Sequence, residues 1–377
     1  MRIYLDNNAT TPVHPDVLRA ACDAMRDVYG NASSIHKEGQ TARRMIEDSR
    51  EPVARLLSAT AREIIFTSGG SESNNAAIFG AVPAEGRHHI VTTAIEHPSV
   101  REVAAALARR NCEVTFVAPD RGGSVSAERV IEALRDETRL VAMMLVNNET
   151  GVVQPVAEVG RACRERGIHL HCDAVQAAGK IDIDVDQLGV TTLALSAHKM
   201  HAPKGVGALY VRRETKLEPF VIGGAQERRR RAGTENVPLA AAFGVAAALA
   251  ADASVRPAIA SLRRRFESAM RETFGDAVTI NGADGERVPN TSSVTFRGSD
   301  AEGIAIALDL EGIAVSTGAA CSSGRVEPSG VLLAMGLTPE EAKSTVRVSL
   351  SRMTTGEEIE RAIEAFRRVV PRCSRQS

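Results

Sequence analysis

The stretch 195–205, LSAHKMHAPKG, places Lys199 directly after a serine and a histidine, at the end of an apolar run. Ser196 and His198 offer hydrogen bonds to an anion beside this lysine. A lysine in such a setting is suited to forming an imine with an aldehyde cofactor. Taken alone, the stretch is also compatible with an ordinary surface lysine at the end of a strand.

The stretch 67–75, TSGGSESNN, has paired glycines between a predicted strand and a predicted helix. Backbone N–H groups at Gly70 and the hydroxyl of Ser71 are able to hold a phosphate where that helix begins. The motif lacks the lysine of a P-loop and the GxGxxG spacing of dinucleotide sites. Because glycine pairs also punctuate many strand-to-helix turns, the motif alone leaves both interpretations open.

The stretch 169–176, HLHCDAVQ, ends a predicted strand on a carboxylate. His169, His171 and Asp173 alternate and so share one face of an extended strand, which is compatible with a metal site. Alternatively, Asp173 holds a heterocyclic nitrogen in its protonated form, and Gln176 bonds a neighbouring oxygen. A core strand that ends in a solvated aspartate is a third interpretation.

Together, these three stretches describe one kind of site. In chain order they supply a phosphate cradle, an acidic partner for a pyridine nitrogen and an imine-forming lysine. Those are the groups that a pyridoxal 5′-phosphate site requires. The sequence therefore predicts a pyridoxal phosphate enzyme.

Two further stretches have chemistry of their own. Cys321 lies in 316–324, STGAACSSG, where small neighbours predict an approachable thiol on a mobile loop, although a packed cysteine in a tight turn fits the composition equally. The stretch 226–236, QERRRRAGTEN, contains four consecutive arginines. We interpret it as a solvated or interfacial turn, because the balanced net charge argues against a nucleic-acid patch.

Short apolar runs alternate with helical patterns along the first two thirds of the chain. This alternation predicts an α/β fold, with a mainly parallel sheet covered by helices on both faces and ligands bound beyond the carboxyl ends of its strands. Seven runs are predicted strands: 63–68, 88–97, 112–119, 139–150, 168–176, 191–199 and 205–212. We predict a large domain over 16–255, and a smaller α+β domain formed by 1–15 and 256–377.

Composition excludes several classes of protein. The chain has 377 residues, 46 basic against 47 acidic, and a formal charge of -1, so no net electrostatic field attracts it to nucleic acid or to a membrane surface.

The longest apolar run, 237–251, is shorter than the roughly 20 residues of a membrane span and predicts a helix buried between layers or subunits. Six scattered cysteines without CxxC pairs fit neither a disulfide framework nor a zinc site, and the N-terminus shows no signal peptide. A cytoplasmic location is the simplest expectation.

The chain resembles the cysteine desulfurases of the NifS/IscS type, in the class V aminotransferase branch of fold-type I pyridoxal phosphate enzymes. The resemblance covers nearly the whole chain, and its motifs occur in the family's order. They are YLDNNATTPV (4–13), GNASSIH (30–36), TSGGSESNN, EHPSV (96–100), NNETG (147–151), DAVQAAGK (173–180), SAHKMHAPKGVG (196–207), GTEN (233–236), ACSSG (320–324) and RVSLS (347–351).

The resemblance implies a role for each matching residue around the cofactor. Lys199 would carry the cofactor as an imine, Asp173 would pair with the pyridine nitrogen, and His97 would stack over the ring. Asn148 and Gln176 would lie near the phenolic oxygen. The phosphate would be held by Gly70, Ser71, Ser196 and His198.

It also implies partners. Thr234 would reach in from a second subunit, giving a homodimer with shared active sites. Arg347 would clamp the carboxylate of L-cysteine beside Asn148, and Cys321 would be the nucleophile. Cys321 would become a persulfide as L-alanine forms, and the sulfur would pass to an acceptor or scaffold protein for iron–sulfur cluster assembly or tRNA thiolation. No metal is expected in the resting enzyme, although Cys321 would be able to join a transient iron–sulfur cluster.

Some positions depart from the family pattern. Ser71 stands where threonine is frequent, and Ala32 and Ala225 replace a proline and a glycine without removing a functional group. The chain stops soon after its last predicted helix, which leaves the partner protein open. Alternative interpretations of the function are a selenocysteine lyase or an aminotransferase on the same fold, and a non-catalytic sulfur-trafficking scaffold. Retention of the lysine, the aspartate and the loop cysteine together argues against a scaffold.

Overall fold

A computed structural model of the chain describes residues 2–110, 112–317 and 327–374. Its strands are β1 (Ile3–Tyr4), β2 (Ile64–Thr67), β3 (His88–Thr93), β4 (Cys112–Val117), β5 (Thr138–Met144), β6 (His169–Asp173), β7 (Thr192–Ser196), β8 (Gly207–Val211), β9 (Val278–Asn281), β10 (Thr291–Phe296), β11 (Ile313–Ala314) and β12 (Thr345–Ser349).

The helices alternate with the strands through the first half of the chain and predominate after it. They are α1 (Pro15–Asp27), α2 (Lys37–Arg55), α3 (Gly70–Ala81), α4 (Pro98–Ala108), α5 (Ala127–Glu132), α6 (Val156–Glu165), α7 (Val185–Leu188), α8 (Val237–Ala250), α9 (Arg256–Phe274), α10 (Ala301–Leu310), α11 (Gly330–Ala334), α12 (Pro339–Lys343) and α13 (Gly356–Val369).

The main sheet has seven strands in the order β2-β8-β7-β6-β5-β3-β4. Only β8 runs against its neighbours β2 and β7, so the predicted mainly parallel sheet is confirmed. Its central strands are buried along their whole length, as in β7, because helices cover both faces. The carboxyl ends of β3, β5, β6 and β7 therefore lie side by side at one edge of the sheet.

A smaller layer accompanies this sheet. Strands β12, β10 and β9 form an antiparallel sheet, and β1 pairs in parallel with β11. A separate apolar core joins this layer to α9 and α13, and it includes Ile3 and Leu5 from the N-terminus. The N-terminal segment thus shares an apolar core with the C-terminal part of the chain.

The apolar run 237–251 is largely the helix α8, which packs against α1 and α2 and buries Phe243 completely. Among the described residues, no single helix is long and apolar enough to cross a membrane. The pair Val237–Ala250 and Ala253–Ala277 meets that test by length and composition together, with a bend of 54° between its members.

The arginine-rich turn is only partly solvated. Arg228 and Arg229 are exposed, but Glu227 is buried and receives hydrogen bonds from both terminal nitrogens of Arg50, at 2.7 and 3.0 Å. Glu227, Arg228 and Arg229 all have positive φ angles, a strained conformation for residues with side chains. Glu227 is thus held in a buried ion pair with Arg50, and a run of charged residues in the sequence does not reveal this burial.

Candidate active site

A cavity of about 390 Å³ opens at the carboxyl edge of the main sheet. Residues from the N-terminal segment and from β12 complete its wall, so both layers of the molecule contribute to it. The predicted site residues that line it are Gly70, Ser71, His97, Asn148, Asp173, Gln176, Ser196, His198, Lys199 and Arg347. The structure thus brings together side chains that are far apart in sequence.

One end of the cavity is built for an anion. Gly70 begins α3, and a Cβ atom at this position would come within 2.7 Å of Val175, which also lines the cavity, so a residue with a side chain there would displace the cavity wall. The free N–H groups of the first helical turn favour negative charge. Ser196 and His198 line the same cavity, and burial together with Lys199 lowers the pKa of His198 to about 4.

Asp173 ends β6 and is 6% exposed. Its two oxygens accept hydrogen bonds from Asn74 Nδ2 at 2.8 Å and from the Val175 N–H at 3.0 Å. Asn74 is oriented in turn by His171, whose Nε2 lies 2.9 Å from Asn74 Oδ1. These bonds fix the direction of a carboxylate that faces the cavity.

The two histidines of β6 are engaged by other side chains, and of the two only His171 contacts Asn74. Burial lowers the pKa of His171 to about 3, and both His169 and His171 contact the hydroxyl of Thr192. In the part of the chain that the structure describes, no three His, Cys, Asp or Glu residues are grouped as metal ligands.

Lys199 lies in the short turn that follows β7. Its Nζ donates to the carbonyl oxygens of Asn8 at 2.6 Å and Ala9 at 2.7 Å. Burial and the nearby Arg347 lower the pKa of Lys199 to about 8, although Asp173 and Asp6 oppose the shift. A substantial fraction of the amine is consequently neutral near physiological pH, which is the form that attacks a carbonyl.

His97 caps the first turn of α4. Its Nδ1 accepts from the Ser99 N–H at 3.1 Å and lies 2.8 Å from the Ser99 hydroxyl. Burial lowers the pKa of His97, so a neutral ring is favoured. With Nδ1 engaged as an acceptor, the proton of the neutral ring is placed on Nε2.

Arg347 projects from β12 and is 6% exposed. One terminal nitrogen donates to Asp6 at 2.8 Å and the other to the Asn148 carbonyl at 3.2 Å. Its buried Nε has no hydrogen-bond partner among the described residues. A planar cation with an unused donor is suited to binding a carboxylate in the cavity.

Two predicted residues are not in this cavity. Thr234 lies instead in a neighbouring pocket with Ser68 and Arg231. Cys321 lies outside the described residues. Residues on either side of that segment contact residues next to the cavity wall or in it: Ser316 forms a backbone bridge to Arg347, and the Ser329 hydroxyl donates to Glu149, the neighbour of Asn148.

Three residues of the site were missed by sequence reasoning. Asn8 and Asn74 line the cavity, and Lys180 bonds to Gln176. Each stands inside a stretch whose residue types already indicated a site, so position within a motif was the available signal. Their partners are distant in sequence and only the fold reveals them.

A buried carboxyl beside the site predicts a dependence of stability on pH. Burial raises the pKa of Glu96 to about 8, against hydrogen bonds from Thr93 and from the Met144 N–H. Between its ordinary pKa and about 8 the folded chain binds the extra proton, so stability from this group is lost as pH rises. Between about pH 5.5 and about pH 8.5, we expect the free energy of unfolding of the parent protein, measured in urea, to fall by roughly 3 kcal/mol relative to that of Glu96→Gln.

The matched control is Glu51→Gln, which changes an exposed carboxyl on α2. Its stability difference from the parent protein should be the same at both pH values. An equal pH slope for Glu96→Gln and the parent would show that Glu96 is ionised in the folded chain.

Comparison with known proteins gives consistent matches. The model of the family described as Aminotransferase class-V matches residues 3–362. A cysteine desulfurase of Nostoc sp. is 44% identical over 98% of this chain and 93% of its own length. A cysteine desulfurase IscS of Anaeromyxobacter dehalogenans is 45% identical over 97% of this chain and 91% of its own.

Solved structures agree with these matches. A NifS-like protein superposes with a TM-score of 0.91 at 34% identity, covering 97% of this chain and 98% of its own. A structure described as SspA in complex with cysteine superposes with a TM-score of 0.84 at 36% identity, covering 94% of this chain and 100% of its own.

Proposed function

Since this chain belongs to the class V aminotransferase family, among the cysteine desulfurases of the NifS/IscS type, we propose that its cavity releases the sulfur of L-cysteine as a persulfide on Cys321. The observation that supports this most directly is the convergence of Lys199, Asp173 and Arg347 on one cavity. That set combines an amine for an aldehyde, a carboxylate for a ring nitrogen and a cation for a carboxylate.

The cofactor is pyridoxal 5′-phosphate, and the residues present fit it. Gly70, Ser71, Ser196 and His198 line the cavity and would provide donors for the phosphate. Asp173 would hold a proton on the ring nitrogen, and Asn148 and Gln176 would contact the phenolic oxygen. When bound, the cofactor supplies an aldehyde for covalent attachment and a ring that accepts the electron pair left at the substrate's Cα.

The chain's own residues position the substrate and move protons. The guanidinium of Arg347, held by Asp6 and the Asn148 carbonyl, binds the carboxylate of L-cysteine. Lys199 keeps a neutral fraction near pH 8, so its amine is able to accept the proton from the substrate's Cα. The neutral ring of His97, fixed through Ser99, faces the same space and is a second proton carrier.

The sulfur transfer requires no outside oxidant. The Cys321 thiolate attacks the substrate sulfur, a sulfur–sulfur bond forms, and the carbon–sulfur bond breaks. Protons taken from the thiol and solvent complete L-alanine and the persulfide. The solved complex of SspA with cysteine, on the same fold, supports L-cysteine as the ligand.

We propose a homodimer in which Thr234 completes the phosphate site of the partner. This placement explains why Thr234 lies outside the cavity of its own chain. The persulfide sulfur then passes, in the cytoplasm, to an acceptor protein for iron–sulfur cluster assembly or tRNA thiolation. Seven of the motifs that support the family assignment contribute residues to the cavity wall. They therefore do not indicate which acceptor protein receives the sulfur.

Single-turnover mass spectrometry tests the proposed activity. After L-cysteine is added to the holoenzyme, we expect the peptide that contains Cys321 to gain the mass of one sulfur atom, matched by one L-alanine. A keto acid without a mass gain would establish an aminotransferase instead. Faster turnover of L-selenocysteine without a mass gain on Cys321 would establish a selenocysteine lyase.

A further inference from the structure

Lys180 follows the β6 turn and has no part in the mechanism described above. We infer that Lys180 is a positioning residue that fixes the orientation of the Gln176 amide, so that a donor and not an acceptor faces the cofactor. The inference rests on the proposed contact between Gln176 and the phenolic oxygen.

The contacts of Lys180 are specific. Its Nζ donates to Gln176 Oε1 at 2.6 Å and to Asn8 Oδ1 at 3.0 Å. On the other side of the same amide, Gln176 Nε2 donates to the Asn8 carbonyl at 2.9 Å. Lys180 and Asn8 therefore hold the two ends of the Gln176 side chain.

These contacts leave one orientation of the amide. The Asn8 carbonyl oxygen is only an acceptor, so the group of Gln176 that faces it must be the NH₂. The Lys180 amine donates to the opposite oxygen, and a flipped amide would place two acceptors against each other and two donors against each other. The second hydrogen of Nε2 remains for a ligand in the cavity, which Gln176 lines.

Asn8 extends this arrangement to the rest of the site. Its carbonyl also accepts from Lys199 Nζ at 2.6 Å, and its Nδ2 donates to the Asn148 carbonyl at 3.1 Å. Asn8 is 2% exposed, and its Nδ2 and Oδ1 also bond to Thr291 and Asn290 near the small antiparallel sheet. Lys180 thus acts on a unit that contacts both the cofactor lysine and the wall of the substrate site.

The burial of the Lys180 amine is costly for a purely structural group. In the described ranges no carboxylate forms an ion pair with it, and burial, with Lys199 and Arg347 nearby, lowers its pKa well below the ordinary value. A buried amine without an acidic partner destabilises the folded chain unless its hydrogen bonds are used. Those bonds go to Gln176 and Asn8, and they fix the Gln176 NH₂ group as a donor toward the cavity.

Removing Lys180 should therefore change the pH titration of the bound cofactor while the chain remains folded. A donor to the phenolic oxygen favours the ionised form of that oxygen, so loss of a fixed donor raises the pH at which the visible absorbance titrates. We expect the midpoint of this titration in the Lys180→Met holoenzyme to lie about half a pH unit to one pH unit above that of the parent. Gln176→Ala should shift the midpoint in the same direction.

A set of variants separates this role from general damage. In the Lys180→Met/Gln176→Ala double variant, the shift should equal that of Gln176→Ala alone, because Lys180 acts through Gln176. Lys180→Arg keeps N–H donors at this position and should titrate close to the parent. Lys216→Met, which changes an exposed lysine, is the matched control and should leave the midpoint unchanged.

Each outcome decides the inference. A parent-like midpoint for Lys180→Met, or additive shifts in the double variant, overturns it. A shift in Lys180→Arg as large as that in Gln176→Ala also overturns it, which keeps the test available if Lys180→Met does not fold. A parent-like midpoint for Gln176→Ala would show that Gln176 does not donate to the phenolic oxygen, and the positioning role of Lys180 would then fall as well. Mass gain on Cys321 in the same preparation decides separately whether the desulfurase proposal stands.

Discussion

A Cys321→Ala variant is expected to keep its cofactor and to bind L-cysteine, but to form L-alanine about 10³-fold more slowly than the parent enzyme, or slower still. The methyl group that replaces the thiol has no lone pair with which to attack the substrate sulfur. The groups that hold cofactor and substrate, such as Lys199 and Arg347, lie in the cavity wall and are unchanged. The measurement is initial-rate production of alanine, with the visible spectrum of the protein recorded in parallel.

Cys22→Ala is the matched control, because Cys22 is an exposed cysteine on α1. It should form alanine at the parent rate. Unchanged alanine production by Cys321→Ala would remove the persulfide step. The segment that carries Cys321 begins after Ser316, which bridges to Arg347, and ends before Ser329, which bonds to Glu149. We therefore expect the loss to be one of chemistry and not of binding.

Lys199→Ala is expected to lose both turnover, by about 10³-fold or more, and the covalent bond between cofactor and chain. Burial lowers the pKa of Lys199 to about 8, which prepares its amine for reaction with the aldehyde. The nearby Lys180 is already engaged by Gln176 and Asn8 and does not replace it. Borohydride should consequently fix the cofactor to the parent chain and not to the variant.

The exposed Lys204 on the same segment provides the control. Lys204→Ala should be fixed by borohydride and should turn over like the parent. Peptide mapping makes the result decisive, because fixation of the cofactor at Lys180 or another lysine in the parent chain would contradict the assignment of Lys199. Turnover by Lys199→Ala at the parent rate would contradict it as well.

The main features of the fold follow from patterns that are local in sequence. Each predicted strand from 63–68 to 205–212 corresponds to a strand of the main sheet. For the central strands the reason is that burial on both faces requires a continuous apolar run. The predicted bounds were less accurate where a turn follows the strand. In 139–150 the strand ends at Met144, since Asn147 accepts hydrogen bonds from the Glu149 and Thr150 N–H groups and turns the chain.

The residues of the site were also predictable where their types matched a chemical requirement. A lysine, an aspartate and a glycine-rich turn at strand ends were sufficient for Lys199, Asp173 and Gly70, because parallel strands deliver their carboxyl ends to one edge. The roles of Asn8, Asn74 and Lys180 were not predictable in this way. Asparagine and lysine side chains occur at many exposed positions, so residue type alone does not identify those that are buried, and only their place within a motif pointed to them.

Residue types and their order along the chain were enough to predict the family, the α/β fold, the cofactor and ten of the residues that line the cavity. How those residues are held depends on contacts that form only in the folded chain. The Gln176 amide meets Asn8 across 168 positions of sequence, and Arg50 meets Glu227 across 177. Such pairs form when packing brings distant elements together, and the cost of leaving a buried donor or acceptor without a partner then favours these hydrogen bonds.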